Sequence, residues 1–272
     1  MRYSYPVIDG DILTSDGISA LHGGPSYTSD VALIIGDVRD EFAINLPIPA
    51  TTNRTKYLNT LVSSLGPSIK PLVQPFLSGI PDTADALFNL TNKLLTDGAF
   101  KCLDQALAYS AVNHKAFSSV YRYEFNRTYG LKAATSYCKP PITQSMPFGD
   151  MDQEYYKCHG AEQYYVFGMG GRGLPDYTPD RDGRDILFAR LIVDYWSSFS
   201  RTHNPNPDLE YLKARGFQST IERIAVRGEW EPVTTGNLTS RLLQWDAMQL
   251  PYQEAEICSL LGYPQTYYET AS

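Results

Sequence analysis

One stretch decides the fold of this chain: Val31-Ala32-Leu33-Ile34-Ile35-Gly36-Asp37-Val38-Arg39-Asp40-Glu41. It opens with a continuous apolar run, Val31 to Ile35, that is typical of a strand buried on both faces of a parallel sheet. The acid Glu41 follows a few residues later. We therefore interpret the stretch as a buried strand with a carboxylate just past its end.

Further along, a helix and a strand follow each other as they do in α/β proteins. Asp97 suits the N-cap of a helix whose apolar residues recur at helical spacing, namely Phe100, Leu103, Leu107 and Ala111. Alternation at period two predicts a strand over Val120-Tyr121-Arg122-Tyr123-Glu124-Phe125. Strand, helix and strand at this spacing indicate a doubly wound α/β sheet.

The remaining segments are assigned more coarsely. Residues 6–13 are predicted as a turn and a short extended piece, residues 47–95 as short helices and loops over the sheet, and residues 130–150 as a Pro- and Gly-rich excursion. A second helix is predicted over residues 184–200, where Leu187, Leu191, Tyr195 and Phe199 fall on one face, and the prolines that follow forbid its continuation. Ile221–Val226 is predicted as a last edge strand.

Composition excludes several classes of protein. The 272 residues carry a net charge of −7 and no basic cluster, which argues against a nucleic-acid partner or an anionic membrane surface. No apolar stretch is long enough for a membrane span. The length allows one large domain or two small ones.

Other features are typical of secreted proteins. Four N-glycosylation sequons begin at Asn53, Asn89, Asn126 and Asn237. The four cysteines are an even number that fits two disulfides in any of three connectivities. The start, Met1-Arg2-Tyr3-Ser4-Tyr5-Pro6, shows no signal peptide. We therefore expect that the true amino-terminal part is missing from this sequence.

The best candidate for a catalytic base is His159. It lies between tyrosines and Gly160 and is followed by a short apolar, strand-like run that closes on Gly168. An acid at a strand end followed by a histidine in a loop is the chain order of the last two members of an α/β-hydrolase triad. The first member, a serine in a G-x-S-x-G turn, is absent from these residues.

A family resemblance is carried by four segments, Pro6–Gly10, Ile35–Glu41, His159–Gly168 and Tyr195–Pro207. They resemble, in this order, the motifs P-V-[IV]-D-G, G-x-x-x-D-E-G, H-[GS]-x-E-[LI]-x-[YF]-V-F-G and Y-W-x-x-F-A-x-T-G-N-P-N-P. These motifs belong to type-B carboxylesterases and lipases, the cholinesterase-like branch of the α/β-hydrolases. Each motif is weak alone, but the set is specific and spans nearly the whole chain. Within the family, the chain looks most like secreted fungal members.

The resemblance implies a partial α/β-hydrolase fold. Residues 1–272 are expected to form the carboxy-terminal portion of a mostly parallel sheet flanked by helices, without the amino-terminal half that bears the nucleophile. The implied function is that of a secreted serine esterase, a carboxylic ester hydrolase, acting on a small-molecule or lipid ester once that half completes it. The chain alone is expected to be inactive and poorly folded. No cofactor and no metal are implied.

The resemblance also assigns roles to the two candidate residues. His159 corresponds to the base that takes the serine proton, and Glu41 to the acid that fixes its tautomer. This chain has Phe42 where the family has Gly after the acid. Because a Phe adopts positive φ only at a cost, we expect the loop after Glu41 to be displaced or remodelled.

The resemblance bears on the cysteines as well. We expect Cys138 to pair with Cys158, which staples the excursion that positions His159, and Cys102 to pair with Cys258, as a similar pair does in the family. A zinc site formed by Cys138, Cys158 and His159 is disfavoured because no C-x-x-C spacing exists.

Several alternatives stay open. The chain is a non-catalytic binding or adhesion module if the triad has been lost, or an active enzyme if a separate amino-terminal chain completes it. The tyrosines at positions 155, 156, 164 and 165 either line an ester pocket or pack near the sheet. The turn His22-Gly23-Gly24-Pro25 resembles an oxyanion turn but comes at the wrong place in the chain, so we interpret it as a surface turn.

Overall fold

The computed structural model describes residues 7–23, 30–130, 136–168 and 179–270. Met1 to Pro6, the Gly24-Pro25 part of the predicted surface turn and residues 131–135 of the predicted excursion lie outside the described residues. None of the helices in the described ranges is long and apolar enough to cross a membrane.

A four-stranded sheet forms the centre of the structure. Its strands lie in the order of the chain, and they are β1 Leu33–Val38, β2 Val120–Phe125, β3 Thr239–Leu243 and β4 Met248–Pro251. The pairs β1–β2 and β2–β3 are parallel, and β3–β4 is antiparallel. Together with the flanking helices, this confirms the predicted class, a mostly parallel α/β sheet that forms part of an α/β-hydrolase fold.

The described helices, in chain order, are α1 Gly17–His22, α2 Arg54–Leu65, α3 Ile69–Val73, α4 Ala84–Thr96, α5 Cys102–Asn113, α6 Gln163–Val166, α7 Asp185–Thr202, α8 Leu209–Ala214, α9 Gln218–Arg227, α10 Ala255–Leu260 and α11 Tyr267–Thr270. A π-helical turn, Asp97–Lys101, joins α4 to α5. Short 3-10 turns cover Ala43–Asn45, Gln74–Phe76 and Ser136–Cys138.

Apolar side chains cover both faces of the sheet. Leu33 and Ile35 pack into a cluster with α5, whereas Ile34 between them packs into the cluster that holds α7. This alternation places α5 and α7 on opposite faces. Trp230 is 1% exposed at the centre of the α7 cluster, where its indole N–H donates to the Arg122 carbonyl over 3.2 Å. Burying a side chain of this size stabilises the fold by about 2–3 kcal/mol.

The predicted short helices in residues 47–95 are present as α2, α3 and α4. They form a separate apolar cluster with the 3-10 turn after β1 and with two of the cysteines, Cys138 and Cys158. The predicted start at Asp97 is wrong, since α4 begins at Ala84 behind an N-cap at Thr83, whose hydroxyl accepts from the Ala86 N–H. Leu87 and Leu94 are buried on the apolar face of α4, and the helical chain continues from Thr96 through the π-turn into α5.

Two predicted strands are helices. Ile221–Val226 lies inside α9, where the buried residues Thr220 and Ile224 are one helical turn apart. The strand-like run before Gly168 is α6, whose Tyr165 is buried between Phe125 and Phe188. Both runs are short, and the apolar residues of so short a run fit the helical period of 3.6 residues as well as the strand period of two.

The predicted burial of β1 on both faces is only partly observed. Asp37 and Val38 are buried, but Leu33 to Gly36 are half-buried, and β1 has a strand neighbour on one side only among the described residues. The predicted helix over residues 184–200 is confirmed as α7.

Candidate active site

A single β-bridge brings the end of β1 to the segment that carries His159. Asp40 and Cys158 form a parallel bridge. The Asp40 N–H donates to the Lys157 carbonyl over 3.1 Å, and the Lys157 N–H donates to Asp40 Oδ2 over 2.9 Å. The next residue on each side of this bridge is Glu41 and His159, so the bridge makes them neighbours.

Further contacts hold the two segments together. The Arg39 guanidinium donates to the Tyr155 carbonyl over 2.8 Å and pairs with Glu154. The Asn92 amide of α4 donates to Asp40 Oδ1 over 2.8 Å. The Glu154 side chain is exposed, but the other two contacts are partly or fully buried, and they fix the segment before His159 against the end of β1.

Glu41 and His159 are in direct contact. His159 Nδ1 lies 2.5 Å from Glu41 Oε2, and Glu41 Oε1 accepts the Val38 N–H over 2.8 Å. The Glu41 side chain is 6% exposed and that of His159 is 56% exposed. Both carboxylate oxygens are thus engaged, and the imidazole keeps Nε2 for a further partner.

The loop after Glu41 departs from the expectation. Phe42 has φ −87° and ψ −12°, in the right-handed helical region, and it leads into the 3-10 turn Ala43–Asn45. Its ring packs against Phe100 at 6.0 Å between centroids. The backbone therefore needs no glycine at this position, and Glu41 reaches His159 with Phe42 in place.

Two local features shape the surroundings of the imidazole. Gly160 has φ +76°, a value that a side chain disfavours, and it turns the chain from His159 into α6. The π-turn between α4 and α5 carries Phe100, whose ring lies 6.0 Å from that of His159. Single π-helical turns of this kind within α-helices often occur at functional sites.

A second acid, Glu162, lies beside the pair. Burial raises its pKa, and the neighbouring charge of Glu41 acts in the same direction. Glu162 Oε2 is enclosed and has no hydrogen-bond partner in the part of the chain that the structure describes. Glu162 belongs to one of the family motifs in the sequence, but no sequence pattern predicted that its side chain is enclosed beside Glu41 and His159.

Behind Glu41 lies a buried cluster of charges that the sequence did not reveal. Arg122 forms an ion pair with Asp37 and donates to the Ser240 hydroxyl over 2.7 Å. Burial raises the pKa of Asp37 to about 6 and that of Asp104 to about 7, against the attraction of Arg122 in both cases. The alternating pattern of β2 predicted a strand but not that its Arg122 is 1% exposed.

The cysteines form the two expected pairs, Cys102–Cys258 and Cys138–Cys158. The second pair links the 3-10 turn Ser136–Cys138 to the bridge residue beside His159. Because Cys138 and Cys158 are bonded to each other, they are not available as zinc ligands with His159.

The tyrosines near His159 have packing partners. The Tyr165 hydroxyl donates to the Thr128 carbonyl over 3.0 Å in a buried network with Arg127 and Asp185. Tyr156 packs edge-on against Phe88. These contacts favour the packing interpretation of both side chains.

The other histidines lie away from the pair. His203 caps the end of α7 at φ +60°, and His114 caps α5 with its Nε2 2.8 Å from Glu269 Oε2. His22 is the last residue of α1, and its ring lies 4.3 Å from that of His114.

A mostly parallel sheet with a carboxylate–imidazole pair beyond the end of one strand defines the class, that of the α/β-hydrolases. The comparison with known families narrows it: residues 2–254 match the carboxylesterase family, and the chain belongs to that family. It is 27% identical over 212 residues to the cAMP-regulated D2 protein of Dictyostelium discoideum. The match covers 75% of this chain and 34% of that protein, so the chain spans about a third of the length of this relative.

Proposed function

We propose that Glu41 and His159 are the acid and the base of a serine carboxylic ester hydrolase. One observation carries the proposal: the 2.5 Å contact between Glu41 Oε2 and His159 Nδ1, with the carboxylate buried and the imidazole half-open. A carboxylate on Nδ1 fixes the tautomer that leaves Nε2 as proton acceptor. Membership of the carboxylesterase family supports an ester as the substrate class.

The reaction divides into two steps in this scheme. His159 Nε2 accepts the proton of a serine hydroxyl as its oxygen attacks the ester carbonyl, and then gives that proton to the departing alcohol. A water molecule attacks the acyl-enzyme in the same way, and the carboxylic acid leaves. Glu41 stabilises the imidazolium that forms in each step.

The nucleophile has to come from outside residues 1–272, since none of these residues forms a G-x-S-x-G turn. We propose that the chain is the carboxy-terminal part of one catalytic domain, and that a nucleophile-bearing segment faces the exposed side of His159. The substrate is then a small-molecule or lipid ester held between the two parts.

Fluorophosphonate labelling tests the proposal. The probe is applied to residues 1–272 alone and to a protein in which a nucleophile-bearing segment is joined to them. We expect labelling only in the second, on a serine, and a labelling rate about 1,000-fold lower in its His159→Gln variant. A His203→Asn variant serves as the matched control. Equal labelling of the His159→Gln and control variants would rule out His159 as the base.

A second candidate is a non-catalytic binding or adhesion module, favoured by the missing G-x-S-x-G turn in these residues. The same experiment separates the two. A module with no nucleophile in its complete sequence stays unlabelled, whereas an esterase is labelled in a His159-dependent manner.

We further propose secretion and glycosylation, supported by the two disulfides and the sequons. The sequons differ in their surroundings. Asn126 Nδ2 donates to Gln244 Oε1 over 2.8 Å beside the buried Arg127, whereas Asn53 caps α2 with its amide oxygen. Glycan mapping by mass spectrometry is expected to find Asn53 modified and Asn126 unmodified.

A further inference from the structure

We propose that His22, His114 and Glu269 form a Zn²⁺-binding site that joins α1 and α11 to the end of α5. The ligand atoms of the three side chains lie within 4.8 Å of one another. His114 Nε2 is 2.8 Å from Glu269 Oε2, and the rings of His22 and His114 lie 4.3 Å apart at 30°. The cluster shares no residue with the pair Glu41 and His159, and the proposal does not depend on the proposed esterase function.

The donor atoms need little movement to accept the ion. Tetrahedral Zn²⁺ binds imidazole nitrogens and carboxylate oxygens at about 2.0–2.2 Å, which places neighbouring donors about 3.4 Å apart. The widest separation in the cluster, at most 4.8 Å, therefore closes by about 1.5 Å or less. Rotation of side chains supplies a shift of this size.

The backbone beside each ligand is held by the apolar cluster around α5. Leu21 precedes His22 and is 5% exposed, and Tyr268 precedes Glu269 and packs on the same cluster. The His114 N–H donates to the Ser110 carbonyl over 3.0 Å at the end of α5. Three elements that are distant in sequence thus present one ligand each from fixed positions, which reduces the ordering that binding requires.

The charges of the cluster also suit a dication. Glu269 Oε2 accepts from Asn113 Nδ2 over 3.2 Å, and the Glu269 carboxylate also interacts with the Ser110 side chain of α5. One carboxylate faces two imidazoles, and imidazole nitrogens and carboxylate oxygens are both common ligands of Zn²⁺. Asn113 would hold the carboxylate in place from outside the coordination sphere.

The donor set together with the disulfides favours Zn²⁺ over Fe²⁺. Two imidazoles and a carboxylate suit zinc, iron, nickel and copper alike. The two disulfides indicate an oxidising compartment, in which redox-inert Zn²⁺ is stable as a divalent ion whereas Fe²⁺ is not. A water molecule completes the four ligands.

The test uses the four histidines of the chain, two of which lie in the cluster and two outside it. Metal-free protein, with residues 1–272 joined to a nucleophile-bearing segment as in the labelling experiment, is titrated with ZnCl₂ in a calorimeter at pH 7.5, and its Tm is recorded with and without the ion. We expect one Zn²⁺ per chain and a Tm rise of about 5 °C at a hundredfold excess over Kd. Substitution with Co²⁺ is expected to give the visible absorption of a four-coordinate ion.

The variants locate the site. His22→Gln, His114→Gln and Glu269→Gln are each expected to weaken Zn²⁺ binding by at least about 100-fold. The matched controls, His159→Gln and His203→Asn, are expected to keep it. Circular dichroism without metal identifies any variant that fails to fold, and the Co²⁺ spectrum of the unaltered chain stands independently of the variants. Absence of stoichiometric binding, or binding lost in the controls and kept in the cluster variants, would overturn the proposal.

Discussion

At the scale of single residues, the candidate site depends on Glu41 being held from two sides. Its Oε1 accepts the backbone N–H of Val38, and its Oε2 contacts His159. A carboxylate fixed in this way loses little freedom when it binds the imidazole, so its orientation is set before any substrate arrives. The sequence predicted both residues but not the bond to Val38, which depends on the turn after β1.

His203 is strained in a way that can be measured. It caps α7 at φ +60°, a conformation that glycine adopts freely and a histidine does not. We expect His203→Gly to raise the free energy of unfolding by about 0.5–1 kcal/mol, as read from urea denaturation. His203→Ala is the control, because alanine keeps the strain. A gain of equal size in the control would contradict this explanation.

Asp104 makes stability depend on pH. Burial raises its folded-state pKa from 3.8 to about 7, so the folded state holds the proton more tightly than the unfolded state between these values. The free energy of unfolding therefore falls as pH rises from about 4 to 7, and Asp37 acts in the same direction up to about 6.

The Asp104→Asn variant tests this linkage, because asparagine resembles the protonated acid. We expect the variant to be more stable than the unaltered chain at pH 8 by about 4 kcal/mol and nearly equal to it at pH 4. Thermal unfolding across this range gives the result. Parallel curves for the two proteins would show that Asp104 does not carry the effect.

At the scale of elements, periodicity predicted the long helix and the strands with strong patterns and failed on short apolar runs. Residues 184–200 are long enough for one period to dominate, and Val120–Phe125, although short, alternates clearly at period two. Ile221–Val226 has the same length without that alternation, and burial of Thr220 and Ile224 on one helical face decided its structure. The π-turn Asp97–Lys101 could not be predicted, because it arises where one continuous helix meets two different packing surfaces.

The disulfides are expected to differ in what they support. Cys102–Cys258 closes a loop of 156 residues and Cys138–Cys158 a loop of 20, so removal is expected to cost about 5 and about 3 kcal/mol. Removal of Cys138–Cys158 costs less free energy of unfolding, but we expect it to disturb the candidate site more, because Cys158 adjoins His159.

The measurement is proton NMR of the two Cys→Ser double variants. The low-field signal of the imidazole proton between His159 and Glu41 is expected to weaken when Cys138 and Cys158 are replaced, and to persist in the folded fraction of the Cys102/Cys258 variant. The reverse pattern would show that the Cys138–Cys158 pair does not position His159.

At the scale of the whole molecule, the fold brings the proposed acid and the proposed base together, and no residue among positions 1–272 forms a G-x-S-x-G turn. The acid follows β1, and His159 reaches it through the bridge between Asp40 and Cys158. This long-range contact could be predicted only from the family resemblance, because 118 positions separate Glu41 from His159. In the proposed function, the nucleophile-bearing segment faces the exposed side of the His159 imidazole and completes the site there.

The kinetics of ester hydrolysis test the catalytic pair most directly. In a protein that joins a nucleophile-bearing segment to residues 1–272, kcat for p-nitrophenyl butyrate is measured for the unaltered protein and for Glu41→Gln, His159→Gln and the control His203→Asn. We expect kcat to fall by about 10⁴-fold in both pair variants, with little change in KM or in the control. Hydrolysis at an undiminished rate in His159→Gln would contradict the assignment of Glu41 and His159 as acid and base.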